Sequence, residues 1–146
     1  MVAAFYGKVS TDDEYNRIRS KYGDTTDPQA HVQACRALGL GAVFHPDGNP
    51  ADLMDNLRMG RPTPAGWLHY GTPQAPTGGG HWSCLIGFDE TTTIHHDPFG
   101  EADMVRGDYV SNAPTAGEAI RYSRMNWVPR FTVNKPSNGY WMEIWE

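Results

Sequence analysis

The segment that most constrains the fold is GGGHWSCLIGFDETTTIHHDPFG, residues 78–100. Residues 82–88 form an apolar run of strand length, and a polar pair, Asp89-Glu90, follows it. Residues 91–96 are rich in β-branched side chains, which favour strands, and Asp97-Pro98 ends that run. The segment therefore predicts a β-hairpin, with three glycines leading into its first strand.

The hairpin brings a histidine and a carboxylate to the same end. His81 opens the first strand and Asp97 leaves the second, and these ends are neighbours in an antiparallel pair. A histidine beside a carboxylate is the base and orienting group of a nucleophilic triad. The sequence therefore predicts His81 and Asp97 as the catalytic pair.

Side chains alternate between the two faces of a strand, and this alternation sorts the neighbours of His81. It predicts one face with His81, Ser83, Leu85 and Gly87, and the opposite face with Trp82, Cys84, Ile86 and Phe88. On the second strand it groups Thr93, His95 and Asp97. Because Cys84 points away from His81, it is not expected to act as the nucleophile.

The size and charge of the chain bound its class. A chain of 146 residues is long enough for one domain with its own core, and we take residues 1–146 as that domain. The net charge of −5 and the absence of a basic run argue against nucleic acid as a partner. No apolar run reaches membrane-spanning length, no signal peptide is evident, and two cysteines make no disulfide framework, so we expect a soluble domain.

Capping signals in the first half of the chain predict helices. They end an initial helix at Gly7 and place three more over residues 11–22, 27–38 and 51–59. Strands are predicted at 43–44, 64–70, 120–122 and 140–145, with Pro64 at a sheet edge or outside the ladder. Residues 71–80 are predicted to be a loop forming a cleft wall, 99–108 to be irregular, and 123–127 to be a helical turn. Helices followed by strands indicate an α+β fold with a mainly antiparallel sheet.

Four motifs resemble the C39-like branch of the papain-like cysteine peptidases: AAFYG before a capped helix, NPADLMDNLRMGRPTPAGW, GHWSCLIGFD followed by IHHDPFG, and AIRYSRMNW. The third is the most specific. The resemblance spans nearly the whole chain and implies a papain-like fold, with N-terminal helices packed on the sheet and a cleft between them. It also implies that His81 is the general base and that Asp97 orients it. The implied substrate is a peptide or a cell-wall amide, with no cofactor.

The same resemblance places the nucleophilic cysteine at the start of a helix that ends near Gly7, about two turns upstream. The glutamine of the oxyanion hole would come just before that cysteine. Neither residue lies within the printed sequence, so we expect a domain truncated at its N-terminus that is inactive, or nearly so, in this form. An apolar surface near Met1 then predicts a dimer.

Two other functions are compatible with the sequence. One is a non-catalytic module that holds a peptide or glycan in the same cleft. The other is a zinc-dependent hydrolase with His81, His95 and Asp97 as ligands, although no HExxH or CxxC spacing accompanies them. Cys35 on an apolar helix stripe is expected to be a core residue, as is Ser83, while Trp82 is a candidate to shield the His81 ring.

Overall fold

The computed structural model describes residues 1–113 and 115–146. The helices are α1 (Val2–Phe5), α2 (Asp12–Arg19), α3 (Pro28–Ala37), α4 (Pro50–Arg58) and α5 (Arg124–Thr132). The strands are β1 (Gly41–Gly48), β2 (Thr63–Trp67), β3 (Tyr70–Thr72), β4 (Ala75–Thr77), β5 (His81–Phe88), β6 (Thr92–His96), β7 (Glu101–Ala102), β8 (Tyr109–Ser111), β9 (Ile120–Ser123) and β10 (Gly139–Trp145). No helix in these residues is long and apolar enough to cross a membrane.

A six-stranded sheet in the order β1-β10-β2-β5-β6-β9 forms the centre of the molecule. Every pairing in it is antiparallel, as predicted. Two small hairpins, β3-β4 and β7-β8, lie outside it. The predicted hairpin is the β5-β6 pair, with Cys84 opposite His96 at its open end.

Both faces of the sheet are covered by helices. Adjacent residues of one strand, such as Cys84 and Leu85, belong to two different core clusters, because they point to opposite faces. One cluster joins α1 and α3 to the sheet through Val2, Ala3, Val32, Cys35, Ala42, Cys84, Met142 and Ile144. The other joins α4 and α5 through Leu53, Met54, Trp67, Leu85, Tyr122, Trp127, Phe131 and Trp141.

The helices begin where the capping residues predict. Thr11 accepts a hydrogen bond from Glu14 N, and Asp27 accepts one from Gln29 N ahead of Pro28. Asn49 and Asp52 form a reciprocal capping box at the start of α4. The second helix is shorter than predicted, however: α2 ends at Arg19, and none of its residues is buried.

The strand predicted over residues 64–70 is divided in two. β2 ends at Trp67, and Tyr70 begins the separate β3. Pro64 is predicted at a sheet edge or outside the ladder, but it lies in an interior strand, paired with Cys84 of β5. On its other side β2 pairs with β10 only at Ala65 and Gly66, so the missing N–H of Pro64 interrupts no ladder there.

β5 does not keep a single alternation. The register shifts between Leu85 and Gly87, so Ile86 is an extra, exposed residue of a bulge. Beyond it Phe88 packs against the same cluster as Leu85. The prediction that Phe88 shares the Cys84 face is therefore wrong.

Four segments are more regular than predicted. β1 extends over eight residues, with Pro46 accommodated at a register shift between His45 and Gly48. The loop 71–80 contains the β3-β4 hairpin, and the stretch 99–108 contains β7. The predicted turn at 123–127 is the nine-residue α5, which continues through Pro129. Burial of Trp127 and Phe131 offsets the backbone hydrogen bond that Pro129 cannot make.

Candidate functional site

The structure brings His81 and Asp97 together. His81 Nε2 lies 2.7 Å from Asp97 Oδ1, and the two side chains are only 3% and 0% exposed. His81 is the first residue of β5, and Asp97 directly follows β6. The sheet register places Cys84 opposite His96, so Asp97 is opposite Ser83 and reaches His81 diagonally.

Three donors converge on the Asp97 carboxylate. Besides His81, Phe99 N–H donates to Oδ1 at 3.0 Å, and Tyr122 Oη–H donates to Oδ2 at 3.0 Å. Burial, followed by the negative charge of Asp97, raises the pKa of Tyr122, so its hydroxyl keeps its proton. Both carboxylate oxygens are thereby held, and Oδ1 stays aimed at the imidazole.

The loop of residues 115–119 supports Asp97 from outside. Asp97 N–H donates to Gly117 O at 2.9 Å. A Cβ atom on Gly117 would overlap the backbone carbonyl of Asp97, so only glycine allows this close approach.

Aromatic rings enclose the His81 imidazole. Phe99 stacks on it, with ring centroids 4.7 Å apart and planes at 29°. Trp67 and Tyr109 present edge contacts at 5.1 and 5.8 Å, and His69 lies at 5.7 Å. Trp82, the candidate shield, instead packs near Phe44 on the other face of the sheet. The shielding rings come from distant segments, which the alternation within β5 could not reveal.

A cavity of about 400 Å³ opens beside His81. His81 Nε2 is committed to Asp97, and among the described residues no side chain or backbone group is hydrogen-bonded to Nδ1. The cavity lies between the N-terminal helices and the sheet, where the cleft was predicted, and its wall is mostly apolar. It is lined by residues that include Val2, Ala3, Tyr15, His31, Cys35, His81, Cys84, Phe99 and Met142.

Neither cysteine is suited to act as a nucleophile. Cys35 and Cys84 are both buried and belong to the cluster on the α3 side of the sheet. Burial raises the pKa of Cys35 and raises that of Cys84 to about 12, so both thiols stay protonated at neutral pH. The predicted core role of Cys35 agrees with this placement.

A chain of buried hydrogen bonds lies beneath the pair. Trp67 Nε1 donates to Ser83 Oγ at 2.9 Å, and Ser83 Oγ lies 2.8 Å from His95 Nδ1. His95 Nε2 lies 2.8 Å from Thr93 Oγ1. Burial, and secondarily the neighbouring His81, lowers the pKa of His95 to about 3.

This arrangement contradicts the zinc alternative. Both ring nitrogens of His95 are engaged with hydroxyl groups, and Asp97 is held by three donors. Within residues 1–113 and 115–146, no group of three or more His, Cys, Asp or Glu side chains is placed to hold a metal ion. His95 is instead a neutral, hydrogen-bonded core residue.

Five residues whose side chains contact the pair were not predicted from the sequence: Tyr122, Phe99, Trp67, Tyr109 and His69. A signal existed for Phe99, because it lies two residues after Asp97, where an Asx-type turn directs its N–H to the carboxylate. Tyr122 lies within the quoted AIRYSRMNW motif, but its contact with Asp97 depends on the pairing of β9 with β6.

Comparisons with known proteins identify the fold. No protein-family profile matches the sequence, and no curated protein matches it either. Among solved structures, the chain is similar to the peptidase domain of Streptococcus ComA, a bi-functional ABC transporter involved in a quorum-sensing pathway. The TM-score is 0.60 and the sequence identity is 16%, over 99% of this chain and 84% of that chain. The resemblance to C39-like peptidases is thus confirmed at the level of fold: the chain has the α+β architecture of a peptidase domain.

Proposed function

We propose that residues 1–146 carry the base and orienting group of a C39-like thiol peptidase site, without a nucleophile of their own. The observation that carries this proposal is the 2.7 Å contact between His81 Nε2 and Asp97 Oδ1 at a cavity, with His81 Nδ1 left free of hydrogen bonds among the described residues. A base must keep one nitrogen available while the other is held by its orienting group.

In a complete site of this kind, a cysteine thiol gives its proton to Nδ1 of His81. The thiolate then attacks the carbonyl carbon of an amide, and the C–N bond breaks as His81 returns the proton to the leaving amine. Water hydrolyses the resulting thioester, again with His81 as base. Asp97 keeps the imidazole in the required orientation throughout. The proposed substrate is a peptide or a cell-wall amide.

The proposal predicts that residues 1–146 alone are inactive. Purified protein should release no more product than buffer from fluorogenic peptides and peptidoglycan fragments. Iodoacetamide should label Cys35 and Cys84 in urea but leave both unmodified in the folded protein, because they are buried and protonated. Turnover that disappears in a His81→Ala variant would overturn the absence of a nucleophile.

The cavity favours a second candidate function, a module that binds a peptide or glycan without cleaving it. A mostly apolar concavity of about 400 Å³ with His81 in its wall has the dimensions of a ligand site. Filling it tests this function, and α1 offers a matched pair of positions. Ala3 is buried and lines the cavity, whereas its neighbour Ala4 is exposed.

An Ala3→Phe variant should therefore lose binding of an apolar peptide, measured by calorimetry, while Ala4→Phe keeps it. Equal binding by both variants would contradict a ligand site in this cavity. Thermal melting of each variant establishes that the protein is folded before binding is compared.

A further inference from the structure

We propose that His95 is a positioning residue that holds the His81–Asp97 pair from beneath through two separate arms. His95 is fully buried, is not exposed at the cavity, and makes no hydrogen bond to either member of the pair. Calling the pair a base and its orienting group rests on the proposed function. The contacts that carry the inference do not depend on it.

The first arm runs to the imidazole of His81. His95 Nδ1 lies 2.8 Å from Ser83 Oγ, and Ser83 Oγ accepts the indole N–H of Trp67 at 2.9 Å. The Trp67 ring, fixed in this way, meets the His81 ring at 5.1 Å with planes at 83°. Because Trp67 is 2% exposed, solvent does not compete for its N–H.

The second arm runs to the carboxylate of Asp97. The His95 ring packs against Tyr122, with centroids 5.0 Å apart and planes at 50°. The hydroxyl group of Tyr122 donates to Asp97 Oδ2. The Tyr122 ring also contacts the Trp67 ring, with centroids 5.9 Å apart, so the two arms are in contact with each other.

The proton positions along the first arm follow from counting donors. The Thr93 hydroxyl group donates its one proton to the carbonyl oxygen of Tyr122 at 3.4 Å, so Thr93 Oγ1 accepts from His95 Nε2–H. A neutral imidazole has one N–H, so His95 Nδ1 is unprotonated and accepts the O–H of Ser83, which in turn accepts from Trp67 N–H. Each hydrogen bond along this arm therefore has a fixed donor and a fixed acceptor, and an acceptor is required at the Nδ1 position of His95.

Two substitutions of His95 separate this requirement from simple packing. In His95→Asn, the amide oxygen takes the place of Nδ1 and can accept from Ser83, although the bond to Thr93 is lost. In His95→Gln, the amide reaches the place of Nε2 and keeps the Thr93 bond, but nothing accepts from Ser83. Both replace the buried ring with an uncharged amide, so both lose the ring contact with Tyr122.

The readout is the His81 Nε2–H proton, which is bonded to Asp97 across 2.7 Å. In protein labelled with ¹⁵N-histidine it is assigned by its absence in His81→Gln, and its exchange with water is measured at one pH. We expect the exchange rate to rise about tenfold in His95→Gln, equivalent to about 1.4 kcal/mol in the local opening equilibrium. We expect the exchange rate in His95→Asn to stay within about threefold of the rate in the unmodified protein.

Two further variants address the first arm without touching His95. Ser83→Ala removes the bridge, and Trp67→Phe keeps an aromatic edge against His81 but removes the indole N–H. Both should accelerate exchange as His95→Gln does. An Asn56→Ala variant is the stability control, because it breaks a different buried polar contact, to Thr63 Oγ1, beneath α4. It should lower the free energy of unfolding without changing the exchange rate of the His81 Nε2–H proton.

The inference is overturned if His95→Asn and His95→Gln change the exchange rate equally, or if Asn56→Ala changes it as much. In either case His95 would contribute to stability alone. Because the measurement needs no turnover, its outcome is independent of whether the domain cleaves an amide. A failed activity assay would therefore leave this inference standing, and the converse also holds.

Discussion

Single residues decide how this protein responds to acid, and His95 is the clearest case. It is fully buried and neutral, and burial lowers its pKa to about 3, whereas an unfolded chain has a histidine pKa near 6.5. Between these values the unfolded chain binds one more proton than the folded protein at this site. The free energy of unfolding therefore rises with pH across this window and falls as the solution is acidified.

The expected slope from His95 is about 1.4 kcal/mol per pH unit at its steepest, between about pH 4 and 6. Urea unfolding at several pH values measures it. A His95→Asn variant has no titrating group at this position and should show a flatter profile over the same range. Identical slopes in the two proteins would mean that His95 does not carry the acid sensitivity.

Asp97 is the second residue whose substitution has a definite expected cost. An Asp97→Asn side chain keeps the shape but offers one acceptor oxygen, where three donors now share two. We expect a loss of about 2 kcal/mol in the free energy of unfolding, typical of buried hydrogen bonds to a charged group. Asp47→Asn, at an exposed carboxylate, is the control and should change stability by less than about 0.5 kcal/mol.

At the scale of elements, Arg130 joins α5 to the segments around the site. Its buried guanidinium donates to the carbonyl oxygens of Leu68, Tyr70, Gly71 and Met104. Tyr70 and Gly71 belong to β3, and His69 lies between them and Leu68. One side chain thereby positions the segment that brings His69 against His81.

Arg130→Met should lower the free energy of unfolding by at least about 3 kcal/mol, because four carbonyl groups lose a donor that is itself fully buried. Arg130→Lys should recover little of this, since an ammonium group cannot span the same carbonyl oxygens. The control is Arg36→Met, which removes an exposed guanidinium with one bond to the carbonyl oxygen of Ala42. A comparable loss in both variants, measured by urea unfolding, would contradict the bracing role of Arg130.

On the scale of the whole molecule, α1 presents an apolar surface to solvent. Met1 is 51% exposed and Phe5 is 61% exposed, and Met1 also lines the cavity beside His81. We propose that a second copy of the chain covers this surface. Sedimentation velocity should then show a dimer fraction that rises with protein concentration.

A Phe5→Asp variant should shift this equilibrium to monomer, because a carboxylate would be buried without a partner. Met125→Asp is the matched control: Met125 is 79% exposed and lies on α5. A monomer at every protein concentration, or an equal effect of both substitutions on the dimer fraction, would contradict the proposed dimer.

The local features of this protein could be predicted from its amino-acid sequence. Caps at Thr11, Asp27 and Asn49 set the helix starts, because each satisfies backbone groups within its own first turn. The alternation of β5 and β6 predicted the contact of His81 with Asp97 across a single ladder. These outcomes depend on residues close in sequence, or on neighbouring strands of one hairpin.

The remaining features depend on contacts between distant parts of the chain. The bulge at Ile86, the continuation of α5 through Pro129 and the placement of Pro64 in an interior strand each depend on partners distant in sequence. The rings around His81 and the Tyr122 contact with Asp97 come from four separate segments. No local pattern encodes such contacts, because the packing free energy that fixes them exists only once the sheet and both helical layers have assembled.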